Sequence, residues 1–147
     1  LVGSEMCIRD RYKSYDRSNQ RLISLVDRKE GLSMIKGSFK RTGSGRIVSF
    51  ELTGHAEAGP YGSDVVCAAV SALAISTVNG IDALAGFEPI VEVDDVEGGY
   101  LYVEMLTTVN QEQKNIAQIL LENLLLGLQS IENENTEFIQ IKTITEK

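Results

Sequence analysis

From Met34 onward the sequence predicts an α+β domain, with elements in the order ββαββαβ and two helices packed on a mostly antiparallel sheet. Three observations predict it. Short segments alternate strictly between apolar and polar residues, the period of a half-buried strand. Two longer segments carry their apolar residues at helical spacing instead. The first two strands, and the next two, are each joined by a short glycine-bearing turn of the kind that closes a hairpin.

Ile35, Gly37 and Phe39 alternate with Lys36, Ser38 and Lys40 as the first strand. Thr42-Gly43-Ser44-Gly45 turns the chain, and Arg46 to Thr53 returns with Val48, Phe50 and Leu52 on one face. A glycine-rich loop follows, after which Ser63 or Asp64 caps a helix that runs to about Leu84. Val66, Ala69, Val70, Leu73 and Thr77 form its burying face, and its alanines suit close helix packing. Ile90 to Asp94 and Tyr100 to Leu106 are strands, with Val91, Val93, Leu101, Val103 and Met105 facing inward. Asn110 to Ile131 is the second helix. Ile116, Leu120, Leu124, Leu128 and Ile131 form its core stripe, and Ile119, Leu121 and Leu125 widen the apolar arc. So wide an arc in a small protein invites covering by a second copy of the chain. Glu137 to Ile144 closes the sheet.

Residues 1–33 differ from the rest. Nine of the 14 Lys and Arg residues lie between Leu1 and Lys40, and the segment shows no sustained period. The run LVGSEMCIRDR reads as translated adapter or vector sequence. Lys29-Glu30-Gly31 is what a ribosome-binding sequence upstream of Met34 would encode. Residues 1–33 are therefore expected to be a non-native or disordered leader, and residues 34–147 the single domain.

Composition excludes several function classes. A net charge of -7 argues against non-specific binding to a phosphate backbone. Two cysteines, Cys7 and Cys67, make no framework of bridges, and with one histidine they make a structural zinc site a poor expectation. Free thiols would suit a reducing cytoplasm. The longest apolar run, Val65 to Ile75, is shorter than the roughly 20 residues that span a bilayer. The chain is thus expected to be cytoplasmic, without membrane contact or a structural metal site.

The chemistry concentrates in Gly54 to Leu73, GHAEAGPYGSDVVCAAVSAL. His55 leaves the second strand. The loop that follows carries Gly59, Pro60 and Gly62, and Cys67 then sits in the first turn of the helix. A base, a movable loop and a thiol near a helix N-terminus suit a cysteine nucleophile. Helical spacing aligns Asp64, Cys67 and Ser71, a polar stripe that core packing does not require. The segment Val66 to Val70 taken alone also reads as core, since cysteine is among the most buried residue types.

Gly54-His55-Ala56, Gly62 and the run Asp64-Val65-Val66-Cys67-Ala68-Ala69-Val70-Ser71-Ala72-Leu73 closely resemble the ribosomal-processing cysteine protease family Prp, including its 12-residue His-to-Cys separation. The likeness is specific in this block and extends in element order from Met34 to Lys147. It implies a cytoplasmic, cofactor-free, homodimeric endopeptidase with a Cys67–His55 dyad supported by Asp64 and Ser71. Gly54, Gly59 and Gly62 would belong to a loop that moves when the peptide enters. The implied substrate is the N-terminal extension of a large-subunit ribosomal protein, the twenty-seventh, whose removal supports ribosome assembly. Asp64 is left to orient the loop, cap the helix or assist His55. The rival expectation is a non-catalytic ribosome-associated binding module with Cys67 in the core.

Overall fold

The computed structural model describes residues 34–54, 63–94 and 99–146, apart from the side chains of residues 63 and 64. Strand β1 (Ile35–Arg41) buries Ile35, Gly37 and Phe39 and exposes Lys36 and Lys40, as its alternation requires. The chain reverses through Thr42–Gly45, where the Gly45 N–H donates to Thr42 O at 2.9 Å. It returns antiparallel as β2 (Ile47–Thr53). Lys40 pairs with Ser49 but Arg41 with Ile47, so Val48 is bulged out of register. The bulge turns Ile47 onto the same face as Phe50 and Leu52, and all three are buried.

Strands β3 (Ile90–Val93) and β4 (Tyr100–Glu104) pair antiparallel, and β4 also pairs antiparallel with β2. Strand β5 (Ile139–Thr145) joins β1 in parallel, giving the order β3-β4-β2-β1-β5. The predicted α+β class and the ββαββαβ order both hold.

Helix α1 (Ser63–Gly80) and helix α2 (Gln111–Glu134) lie together on one face of the sheet. Their buried residues share one cluster with Phe39, Phe50, Leu52, Leu101 and Val103. Phe39 and Phe50 stack across β1 and β2 at a centroid distance of 5.4 Å. Asn110 and Gln113 start α2 with a reciprocal capping box. The helices approach closely where α2 carries Gly127, since a Cβ there would lie 3.1 Å from Leu73 Cδ1.

The structure differs from the expected burial at Val48, whose place on the inner face Ile47 takes through the bulge, and also on α2 and β3. On α2 the stripe is rotated: Ala117, Leu121, Leu124, Leu125 and Leu128 are buried, Ile116, Leu120 and Ile131 only partly so, and Ile119 is 69% exposed. On β3, Val91 and Val93 share the face of Val103 and Leu101 but remain about 40% exposed. β3 is an edge strand exposed along its whole length.

Helix α1 ends in a π-helical turn, Ile81–Ala85, closed by Gly86 at φ 79°. Counted through that turn, Val65–Ala85 is long and apolar enough to cross a membrane by length and composition, a longer stretch than the uninterrupted apolar run suggested. Here it packs on the sheet, with Val66, Val70, Ala74 and Ile81 in the core.

Candidate active site

Strand β2 leaves the sheet at Gly54, which takes φ +90° and donates its N–H to Gly99 O at 2.8 Å. A side chain here would be doubly excluded. The backbone is left-handed, and a Cβ would lie 2.3 Å from Met34 O. The close approach ties the exit of β2 to the entry of β1. His55, Gly59 and Gly62 lie outside the described residues, as does the Asp64 side chain. Of the predicted site, the structure therefore describes Gly54, Cys67 and Ser71.

Helix α1 begins at Ser63, so Cys67 is its fifth residue and opens the second turn. The sequence placed it in the first. The correction matters electrostatically, because the favourable potential of a helix N-terminus falls off within that turn. Cys67 is 4% exposed and Ser71 is fully buried, on the same side as Val66, Val70 and Ala74. The aligned Asp64, Cys67 and Ser71 were expected to form a face separate from the buried one. Cys67 and Ser71 are instead inside the hydrophobic cluster's boundary, because small side chains at this spacing fit between helix and sheet. Thr77, further along α1, is also buried and resolves its hydroxyl internally by donating to Leu73 O at 2.8 Å.

Cys67 is disulfide-bonded in this structure, against the expectation of free thiols. Any nucleophilic chemistry at Sγ requires its reduced form. Among the described residues, no group of three His, Cys, Asp or Glu side chains is arranged to hold a metal ion.

The sequence reading passed over Tyr100 as the mere start of a strand. It pairs with Thr53, the residue before Gly54, and so lies at the same end of the sheet as the departing loop. Burial, and then the nearby Glu51 and Glu92 carboxylates, raise its hydroxyl pKa above the ordinary phenol value. Strand periodicity carries no signal for this placement, which depends on the register of β2 against β4.

Comparison with known proteins gives matches across most of the described domain. The family described as cysteine protease Prp matches residues 34–140. The ribosomal processing cysteine protease Prp of Bacillus subtilis is 36% identical over 110 residues, covering 75% of this chain and 97% of that protein. The crystal structure of SMU.848 from Streptococcus mutans superposes with a TM-score of 0.69 at 38% identity, covering 78% of this chain and 97% of that one. An essential ribosomal processing protease Prp from Staphylococcus aureus, in complex with a covalently linked product peptide, superposes with a TM-score of 0.64 at 34% identity. That match covers 75% of this chain and 99% of the other. This chain belongs to the Prp family of cysteine proteases.

Proposed function

We propose that the protein is a cysteine endopeptidase that removes the N-terminal extension of a large-subunit ribosomal protein, the twenty-seventh, in the cytoplasm. The observation that carries this reading is the family match over residues 34–140, which spans both His55 and Cys67. A relative of the same fold holds a covalently linked product peptide, which supports peptide chemistry at a nucleophile.

In this reading His55 takes the Cys67 proton, and the thiolate attacks the scissile carbonyl. The tetrahedral oxyanion collapses to a thioester between Cys67 and the N-terminal fragment. The departing amine takes the proton from His55. His55 then deprotonates a water molecule, which hydrolyses the thioester and regenerates the thiol. Unpaired backbone N–H groups in the first turn of α1 suit the oxyanion, each such donor being worth about 3 kcal/mol in the transition state. Asp64 caps α1 and steadies the Gly54–Gly62 loop, while Ser71 bonds within the site rather than attacking substrate. An extended substrate suits the edge strand β3, whose Val93 end lies near the exit of β2. Two copies of the chain, meeting through exposed apolar residues such as Ile119 and Leu126, complete the reading as a homodimer.

Burial of Cys67 favours a second reading, a non-catalytic ribosome-associated module. One experiment separates the two. The reduced protein is incubated with a peptide spanning the extended ribosomal N-terminus, and products are read by mass spectrometry. Cleavage at a single bond, abolished by His55→Ala, supports the protease. An intact peptide, together with a Cys67 that resists iodoacetamide at neutral pH in the reduced protein, would overturn it.

A further inference from the structure

A cavity of about 350 Å³ opens between the N-terminal half of α2 and the far ends of β2 and β4. It lies at the end of the sheet opposite Gly54, because β2 enters here at Ile47 and leaves there after Thr53. Phe87, Met105, Leu106, Val109 and Ala117 supply its apolar lining. Its walls are cross-linked by side-chain amides. Gln118 on α2 accepts from Ile47 N at 2.8 Å and donates to Ile47 O at 2.6 Å. Gln113 donates to Gly86 O, at the end of the π-helical turn, at 3.3 Å. Three elements are thus pinned around the space.

The charges select what it takes. Six cationic side chains fall among the described residues: Lys36, Lys40, Arg41, Arg46, Lys114 and Lys142. Lys40 is paired with Glu146 and Arg41 with Glu122, while Lys36 and Lys142 are exposed to solvent. Arg46 and Lys114 alone are half-buried without a carboxylate at ion-pair distance, and both line this cavity. Glu104, the one carboxylate in the lining, instead accepts from Tyr102 Oη at 3.3 Å. Two part-desolvated cations lacking an anion, beside a pinned apolar space of drug-like size, make a site with an unmet electrostatic demand.

We propose that this cavity is a second ligand site, separate from the peptidase centre, for a small amphipathic anion. Its apolar body fills the space between Phe87 and Val109, and its anionic group meets Arg46 and Lys114. The inference stands on the cavity alone and does not depend on peptidase activity.

The test uses the full reduced chain and two fluorescent probes with nearly the same body, anionic 8-anilinonaphthalene-1-sulfonate and uncharged N-phenyl-1-naphthylamine. The anionic probe should bind about tenfold more tightly at low salt, with the advantage shrinking as salt is added. Arg46→Ser with Lys114→Ser should erase that advantage and leave the uncharged probe unchanged. Thr107→Trp, at the lining, should weaken both. Methyl NMR shifts on adding the anionic probe should centre on Val109, Met105 and Ala117. Equal affinity for the two probes, an unaltered preference in the double variant, or shifts centred elsewhere would each overturn the site. So would a change in self-association of the double variant, which would make the cavity an interface between copies.

Discussion

Arg41, at the end of β1, grips Glu122 on α2 with both guanidinium nitrogens, Nη1 to Oε1 and Nη2 to Oε2, the latter at 3.0 Å. This fork joins the sheet to the second helix across 81 residues of sequence. The hydrogen bond from Arg41 holds the Glu122 carboxyl below the ordinary carboxylate range; burial opposes it, and the opposite charge of Arg41 adds a smaller pull in the same direction as the bond. Its folded pKa is therefore lower than its unfolded one. The stabilisation is complete above the unfolded value and is lost as pH falls through the folded one. With Glu122 43% exposed, solvent screening limits the pair to about 1 kcal/mol. Arg41→Ala should cost that amount in urea unfolding at neutral pH and little at strongly acidic pH. Arg41→Lys should recover only part of it, because an ammonium cannot reproduce the fork. An equal loss at both pH values would show that packing, not charge, is responsible.

Gly54 and Gly45 form a natural contrast. Both take φ near +90°, but a Cβ at Gly45 meets nothing within 4 Å, whereas one at Gly54 strikes Met34 O. Gly45→Ala should cost about 1 kcal/mol, the backbone strain alone. Gly54→Ala should cost roughly 2–4 kcal/mol, since the β1 backbone must also move. Thermal melts of the two variants check the order. If Gly54→Ala behaved like Gly45→Ala, the strand exit would be more pliable than its contacts indicate.

Gln118 satisfies both backbone groups of Ile47. Gln118→Leu should therefore destabilise by about 1–3 kcal/mol in urea unfolding, because the bulged start of β2 loses its partner for an N–H and a carbonyl. Gln118→Glu keeps the acceptor and loses the donor, so it should fall between the two.

At the proposed nucleophile, Cys67→Ala should reduce peptide cleavage by about a thousandfold or more. The buried position accommodates alanine, so reduced protein and variant should melt at similar temperatures. A variant that kept its activity would remove Cys67 from the mechanism. One that failed to fold would make its role structural.

Much of the fold was legible because it is encoded locally. Alternation in Ile35–Arg41 and Tyr100–Glu104, the turn residues Thr42–Gly45, and the Asn110 cap each report the conformation of a few neighbouring residues. The candidate site was legible as a block of residue types, Gly54, His55 and the helix bearing Cys67, because reaction chemistry restricts which side chains can serve. Its geometry was not. Whether Cys67 falls in the first or second turn depends on where α1 starts, and its burial depends on what packs above it.

By itself the sequence determined the element order and the antiparallel hairpins, since periodicity and turn chemistry act over short spans, and it offered His55 and Cys67 as candidates for the chemistry. Only the tertiary structure decided that β5 lies parallel beside β1, that β3 is an uncovered edge, and that α2 rotates to bury Leu121 and Leu125 in place of Ile116. It also decided that Cys67 and Ser71 sit in the core. Each of these depends on contacts between residues distant in sequence, where the face a helix presents follows the shape of the space it must fill.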